Sequence, residues 1–385
     1  MRTISFIIFF SIALTIYGLL NYYIYIRGLQ SIPQGSTYRT YYIFIFWAVA
    51  LTFIAGRLLE PMALSVFSDI LIWIGSLWLA AMLYFFLIVL FLDIIRLLNH
   101  WLPVVPDFIS DDYIRAKQVV AFSAVGLVAI VMIIGHINAL HPRMTTLNVA
   151  IPKKAGAPRE LNIVAASDIH LGTIVNRSRL EGLVQKINDL KPDIVFLPGD
   201  IVDEDLAPVI RENTGEALKK INAPLGVFAV TGNHEYIGGA EKACSYLENH
   251  NVTMLRDGAT KIDNSFYLVG REDRECRRFN GKNRKSLNEL MVLADKDYPV
   301  ILLDHQPFDL NEAVANGIDL QISGHTHHGQ LWPLNYITEM VYEISRGYRR
   351  KGDTQFLVSS GFGTWGPPIR TNSRPEIVNI RLSLR

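Results

Sequence analysis

Five short runs in the second half of the chain collect residue types that bind metal ions: Asp168-Ile169-His170, Gly199-Asp200, Gly232-Asn233-His234-Glu235, Asp304-His305 and Gly324-His325-Thr326-His327-His328. Carboxylate oxygens, an amide oxygen and several imidazoles are the donor mixture that suits a pair of divalent transition metals. Six of the ten histidines fall in these runs. Each run alone is ordinary, since a Gly-Asp pair is a common turn and a lone histidine a common loop residue. Their position makes them informative. Each follows a short β-rich segment, so all five should gather where strands of an α/β sheet end, the edge at which ligands bind.

The elements that would hold them are legible from about Thr145 onward, where short β-rich runs alternate with amphipathic helices and Gly, Pro, Asn and Asp punctuate. The pattern predicts strands at 162–166, 194–197, 227–230, 266–269, 300–303, 320–322, 356–359 and 377–382. A helix capped by Asn176 or Ser178 should lie between the first two, with Leu180, Leu183, Val184, Ile187 and Leu190 on its inner face. The alternation gives an α/β layered domain. The stretch Arg271 to Lys285 carries seven Lys/Arg against three acids and reads as a surface loop or cap. Gly361 to Gly366 matches the dinucleotide-binding glycine pattern, but Pro367-Pro368 stands where a helix should open, so nucleotide-cofactor binding is excluded.

The ordered set of blocks resembles the calcineurin-like metallophosphoesterases over about residues 160 to 385, and the Gly-His-Thr-His-His-Gly-Gln run with the Gly-rich Ser360 to Arg370 loop is similar to their bacterial membrane-associated branch. The resemblance implies a four-layer α/β/β/α sandwich. It further implies that Asp168, His170 and His327 hold one divalent metal ion, that Asn233, His305 and His325 hold a second, and that Asp200 bridges them. The ions would be Mn, Fe, Zn or Ni. His234, with no ion to hold, would donate to the leaving oxygen, and Glu235 would orient it. Arg370 would approach the phosphate. The branch usually shows Gly where His328 stands, and the histidine is expected to be a surface substitution.

The first 140 residues differ in kind. They hold 7 Lys/Arg and 6 Asp/Glu, against 30 and 30 in the remainder. Four uncharged stretches, about 4–26, 40–56, 70–92 and 119–137, are each near the ~20 residues that cross a bilayer. The chain thus reads as a transmembrane anchor of four helices at 1–140 followed by a metallophosphoesterase domain at 145–385. Tyr22, Tyr23 and Tyr25 stand where a signal peptide would show small residues, and are expected to form an aromatic belt. The four stretches contain no Asp, Glu, Lys or Arg, which argues against an ion pathway; His136, near the end of the last, is expected at the interface. Lys and Arg flanking the spans divide five against five, so the side of the catalytic domain stays open. A net charge of +1 points away from nucleic acid, and two cysteines suit neither a disulfide scaffold nor a thiolate zinc site.

The expected protein is therefore a multi-pass protein of the cell inner membrane whose partners are the bilayer and a phosphorylated substrate. A lipid substrate is favoured by anchoring and by the apolar run Trp332 to Tyr342. Soluble nucleotides or phosphomonoesters are the alternative substrates, and an inactive binding scaffold the alternative function.

Overall fold

The computed structural model describes residues 2–102, 106, 112–153 and 159–384; the other positions of the two regions read from the sequence lie outside the described residues. The chain divides into two compact units, Met1–Gly135 and His136–Arg385.

The first unit is built from α1 (Arg2–Leu29), α2 (Tyr38–Leu59), α3 (Val66–Trp101) and most of α4 (Tyr113–Leu140). Among the described residues α2, α3 and α4 are long and apolar enough to cross a membrane, and α1 is a 28-residue helix over the first predicted span. The protein is a membrane protein. Every helix outruns its predicted span, because a charged residue ends an apolar run without ending a helix. Thus α3 continues through Asp93 and Arg96 to 36 residues. There Asp93 Oδ2 receives Arg27 Nη2 at 2.6 Å and the Tyr23 hydroxyl at 2.5 Å. Tyr25 stacks on Tyr42 with ring centres 5.7 Å apart. Of the three tyrosines expected in a belt, then, Tyr23 and Tyr25 pack against neighbouring helices, while Tyr22 is exposed.

The second unit contains two six-stranded sheets, of order β1-β12-β2-β3-β4-β5 and β10-β11-β9-β8-β7-β6. The strands are β1 Arg143–Ile151, β2 Arg159–Ala165, β3 Ile194–Pro198, β4 Val227–Val230, β5 Thr253–Met254, β6 Gly258–Ile262, β7 Phe266–Gly270, β8 Val300–Leu303, β9 Leu320–Ser323, β10 Gly347–Lys351, β11 Thr354–Val358 and β12 Glu376–Leu384. Side chains alternate between two cores. Ile163 and Ala165 of β2, Ile194 and Phe196 of β3, and Ile301 and Leu303 of β8 fill the space between the sheets. Val164, Val195 and Leu197 face outward beneath a helical layer, and Val300 and Leu302 do the same on the opposite side. Strands buried on both faces read as unbroken apolar runs, which is why the central ones were legible. The result is the four-layer α/β/β/α sandwich.

The outer helix α5 (Arg177–Asp189) is capped by Asn176, whose side chain accepts from Arg179 N at 3.3 Å, and it buries Leu180, Leu183, Val184 and Ile187. Four strands were not predicted. Of these, β1 pairs in parallel with β12 from Arg143 to Ile151 but buries only Val149 and Ile151, so its pattern is half-masked. The strand β10, Gly-Tyr-Arg-Arg-Lys, is an exposed edge whose charges are the usual guard against edge pairing.

Phe196 is fully buried between the sheets, two residues before the end of the strand that leads to Asp200. Phe196→Ala should cost ~3–5 kcal/mol. The check is the denaturation midpoint of the purified chain, and an unchanged midpoint would contradict this placement of the core.

Candidate metal centre

The five runs lie at the carboxyl ends of β2, β3 and β4 in one sheet and β8 and β9 in the other. To turn their side chains toward a common point, the backbone adopts the left-handed region at Asp168 (φ 52°), His170 (53°), Asp200 (51°), His325 (73°) and His327 (44°). Such conformations are strained for residues with a Cβ and persist only where surroundings hold them. Here backbone bonds do so: Asp168 N donates to Gly199 O at 3.1 Å and His170 N to Asp200 O at 3.0 Å. Neighbouring glycines leave the room. A Cβ on Gly199 would come within 2.6 Å of His305 Nδ1, and one on Gly232 or Gly324 would collide with the carboxylate of Asp200 or Asp168.

All seven residues expected to bind metal come together in one cluster, five buried and Asn233 and His325 half-buried, in two groups. Asp168, His170 and His327 form the first: the Nε2 atoms of the two rings are 3.0 Å apart, and Asp168 Oδ1 is 3.6 Å from His327 Nε2. Asp200, His305 and His325 form the second, with His305 Nε2 3.0 Å from Asp200 Oδ2 and His325 Nδ1 2.8 Å from Asn233 Oδ1. Asp200 belongs to both neighbourhoods, since its Oδ2 is also 3.9 Å from His170 Nε2. Its other oxygen, Oδ1, accepts from His234 N at 2.9 Å. His305 Nδ1 donates to Pro198 O at 2.8 Å, which turns Nε2 toward Asp200. Burial raises the Asp200 carboxyl, but His305, His234 and His170 outweigh it and hold it well below the usual carboxylate range.

His234 lies against this pocket, its ring 4.6 Å from that of His170. The carboxylate behind it differs from the one expected. Glu235 never reaches the imidazole: it accepts backbone bonds from Asp200 N (3.1 Å), Ile201 N (2.7 Å), Val202 N (2.9 Å) and Gly232 N (2.7 Å), stapling two loops together. Asp203 Oδ1 is the atom 3.0 Å from His234 Nδ1. The available sequence signal was spacing, three residues after Asp200 on the same turn. Burial lowers the His234 pKa, whereas the carboxylates of Asp200, Asp203 and Glu204 raise it, and they prevail, at about 9.

The family model for calcineurin-like phosphoesterases matches residues 161–329. A metallophosphoesterase of Aquifex aeolicus is 36% identical over 227 residues, which make up 58% of this chain and 85% of that relative. The chain belongs to the calcineurin-like phosphoesterase family. A bovine transmembrane protein with a metallophosphoesterase domain is 32% identical over 275 residues, 67% of this chain and 61% of its own length. A metallophosphoesterase of Campylobacter jejuni is 29% identical over 388 residues, spanning 98% of both chains. Membership makes the protein a metal-dependent phosphoric ester hydrolase.

The calcineurin-like phosphoesterase site fits divalent cations on its own chemistry. Two imidazole nitrogens converge at 3.0 Å beside a carboxylate. Asp168 Oδ2 is buried without a hydrogen-bond partner. Buried carboxylates call for positive charge, and burial, with the nearby His170 ring and Arg370 guanidinium, holds His327 well below its usual pKa.

Arg370, expected at the phosphate, is elsewhere. It is completely buried, and its guanidinium donates to Ser360 O (2.8 Å), Gly361 O (3.2 Å), Gly363 O (2.6 Å) and Ser373 Oγ (3.0 Å), with Nη2 also 3.0 Å from His327 Nδ1. The Gly-rich loop is likewise a wall of the pocket, its Phe362 N and Gly363 N donating to Ser167 O and Asp168 O at 2.9 and 2.7 Å. Three cations of the basic stretch Arg271 to Lys285 are paired with acids beyond it: Arg271 with Glu312 at 2.8 Å, Arg274 with Asp309 at 2.9 Å and Arg284 with Asp304 at 3.0 Å. His328 turns away from both groups, with Nδ1 2.8 Å from Ser345 Oγ.

Gly232→Ala should displace the Asp200 carboxylate and lower the metal content of the purified chain at least ~10-fold, the range seen when a ligand's supports are disturbed. Elemental analysis of the dialysed protein checks this, and a content equal to that of the parent would contradict the cradle.

Proposed function

We propose that the protein is a multi-pass protein of the cell inner membrane, that it hydrolyses a phosphate ester or pyrophosphate bond with water at a centre of two divalent ions, and that its substrate is a phosphorylated lipid. The observation that carries the two-ion reading is the place of Asp200 Oδ2, 3.0 Å from His305 Nε2 and 3.9 Å from His170 Nε2, between the two groups. Asp168, His170 and His327 would hold one ion, Asn233, His305 and His325 the other, and Asp200 both. Mn, Fe, Zn or Ni suits such oxygen and imidazole donors. Bound ions would supply an activated water and neutralise phosphate oxygens.

The chain's own part is proton management and orientation. With Asp203 against Nδ1, the His234 ring presents Nε2 as the atom that gives a proton to the leaving oxygen. Asp203 takes the orienting role that the resemblance suggested for Glu235. Glu235 keeps the Asp200 and Gly232 turns in register, and Arg370 is committed to carbonyls of the Gly-rich loop instead of to phosphate.

The lipid reading is supported by the surroundings of the site. Trp332, Tyr336, Ile337, Met340 and Val341 are all exposed, Met340 at 78%, so this run does not pack into the core. Trp365, also exposed, has its ring 6.0 Å from that of His234, and the Tyr342 ring is 5.9 Å from that of His325. Large exposed apolar side chains in one stretch mark a surface that meets another apolar surface. Exposed Arg346, Arg349 and Arg350 follow and suit an acidic head group.

Four outcomes follow. His234→Ala should cut turnover of a generic phosphoester ~100-fold or more while metal content stays at the parent level; equal loss of both would remove its proton-donor role. Asp203→Asn should lower turnover in the same direction and also leave metal content unchanged, whereas Glu235→Gln should lower metal content. For the substrate, lipidomes of cells carrying the parent or His234→Ala chain should differ by accumulation of one phosphorylated lipid in the variant. An unchanged lipidome with efficient turnover of a soluble phosphoester would overturn the lipid reading.

A further inference from the structure

The segment Pro368–Arg374 connects the metal pocket to the end of α4. On its inner side, Arg370 Nη2 reaches His327 Nδ1 (3.0 Å), Ser373 Oγ donates to His327 O (2.8 Å) and Asn372 Nδ2 donates to His328 O (2.7 Å). No strand or helix pairs with this segment, so its carbonyls need other donors. The last turn of α4 supplies them. Asn138 Nδ2 donates to Arg370 O at 2.7 Å and to Ser373 O at 3.1 Å, while its Oδ1 accepts from Arg374 Nε at 2.9 Å. The His136 ring donates from Nδ1 to Pro368 O at 2.8 Å. Arg179 Nη2 donates to Ala139 O at 2.9 Å and lies over the Phe362 ring at 5.2 Å, which ties the same turn to the Gly-rich wall.

One amide side chain therefore grips the segment at Arg370, Ser373 and Arg374. Ser373 and Asn372 cannot shift without losing their bonds to the His327 and His328 carbonyls, and Ser373 is itself held by Asn138. The compact catalytic unit begins at His136, inside α4, which places this turn with the sheets. We propose that Asn138 is a positioning residue of the metal centre: it holds the Pro368–Arg374 segment so that Ser373 and Asn372 keep the His327 backbone in place and its ring beside Asp168 and His170. The inference rests on the two-ion reading. It makes the end of an apolar helix, otherwise an anchor, part of the support of a metal ligand.

The test uses the full chain in detergent, with Mn2+ as the probe, and follows both ion content after dialysis and the Mn2+ dependence of phosphodiester hydrolysis. Asn138→Leu keeps the side-chain size and removes every hydrogen bond. It should raise the Mn2+ concentration for half-maximal binding ~10-fold, the low end for a support behind a metal ligand. Turnover at saturating Mn2+ should fall far less. Asn138→Asp retains an acceptor for Arg374 but has nothing to donate to the two carbonyls, so it should behave like Asn138→Leu. In a Ser373→Ala background, which lacks the bond to His327 O, Asn138→Leu should add less than ~2-fold, because both act along one path. If Asn138→Leu does not accumulate as folded protein, His136→Leu, which removes the bond to Pro368 O, should give a shift of ~3-fold in the same direction.

Unchanged Mn2+ binding in the folded Asn138 variant, or in His136→Leu where that stands in, would overturn the proposal. A parent-like Asn138→Asp, or full additivity with Ser373→Ala, would do so equally. Failure of the two-ion reading would look different, because the parent chain itself would then bind fewer than two ions.

Discussion

A wholly buried carboxylate among imidazoles is the constraint around which the catalytic unit is arranged. Asp200 has one oxygen committed to the His234 amide and the other turned toward His305 and His170. Removing that charge from water is expensive unless cations or many donors surround it. The fold meets the requirement by bringing the ends of strands from both sheets to one place, so that three imidazoles lower the Asp200 pKa while the glycines at 199 and 232 let the turns close around it. Left-handed backbone at five of the seven clustered residues is the strain that accompanies the gathering. The Glu235 carboxylate, accepting four backbone amides, offsets part of it by locking the Asp200 and Gly232 loops to each other.

Support spreads outward from this point in two directions. On one side Asp203 stands behind His234, and on the other Arg370 stands behind His327. Asp203 touches its histidine through the far nitrogen, the arrangement by which a protein fixes which ring atom faces the chemistry, whereas His327 is held through its backbone by Ser373 and Asn372. Their segment continues to the end of α4, and the division between the two compact units falls within that helix, ahead of the point where the composition changes.

The composition change, the central strands and the five runs were all legible in the sequence, because strands such as Val300–Leu303 are buried on both faces and each candidate metal-ligating side chain closely follows one. What escaped was decided by tertiary contact. Glu235 and Asp203 are both acids near His234, and only the fold shows that one meets backbone amides and the other the ring. Arg370 looks like a phosphate ligand in a Gly-rich loop until its burial is seen. Asn138 gives no signal at all, since an Asn at the end of an apolar helix reads as a stop. The edge strands β1 and β10 lacked a two-faced apolar pattern, and Tyr23 and Tyr25 were drawn inward by Asp93 and Tyr42.

The most direct test of the account is anomalous diffraction from crystals of the Mn2+-loaded protein, recorded at the manganese edge. The account predicts two peaks ~3.5–4 Å apart, with the Asp200 carboxylate between them. A single peak, or two peaks of which only one contacts Asp200, would contradict it.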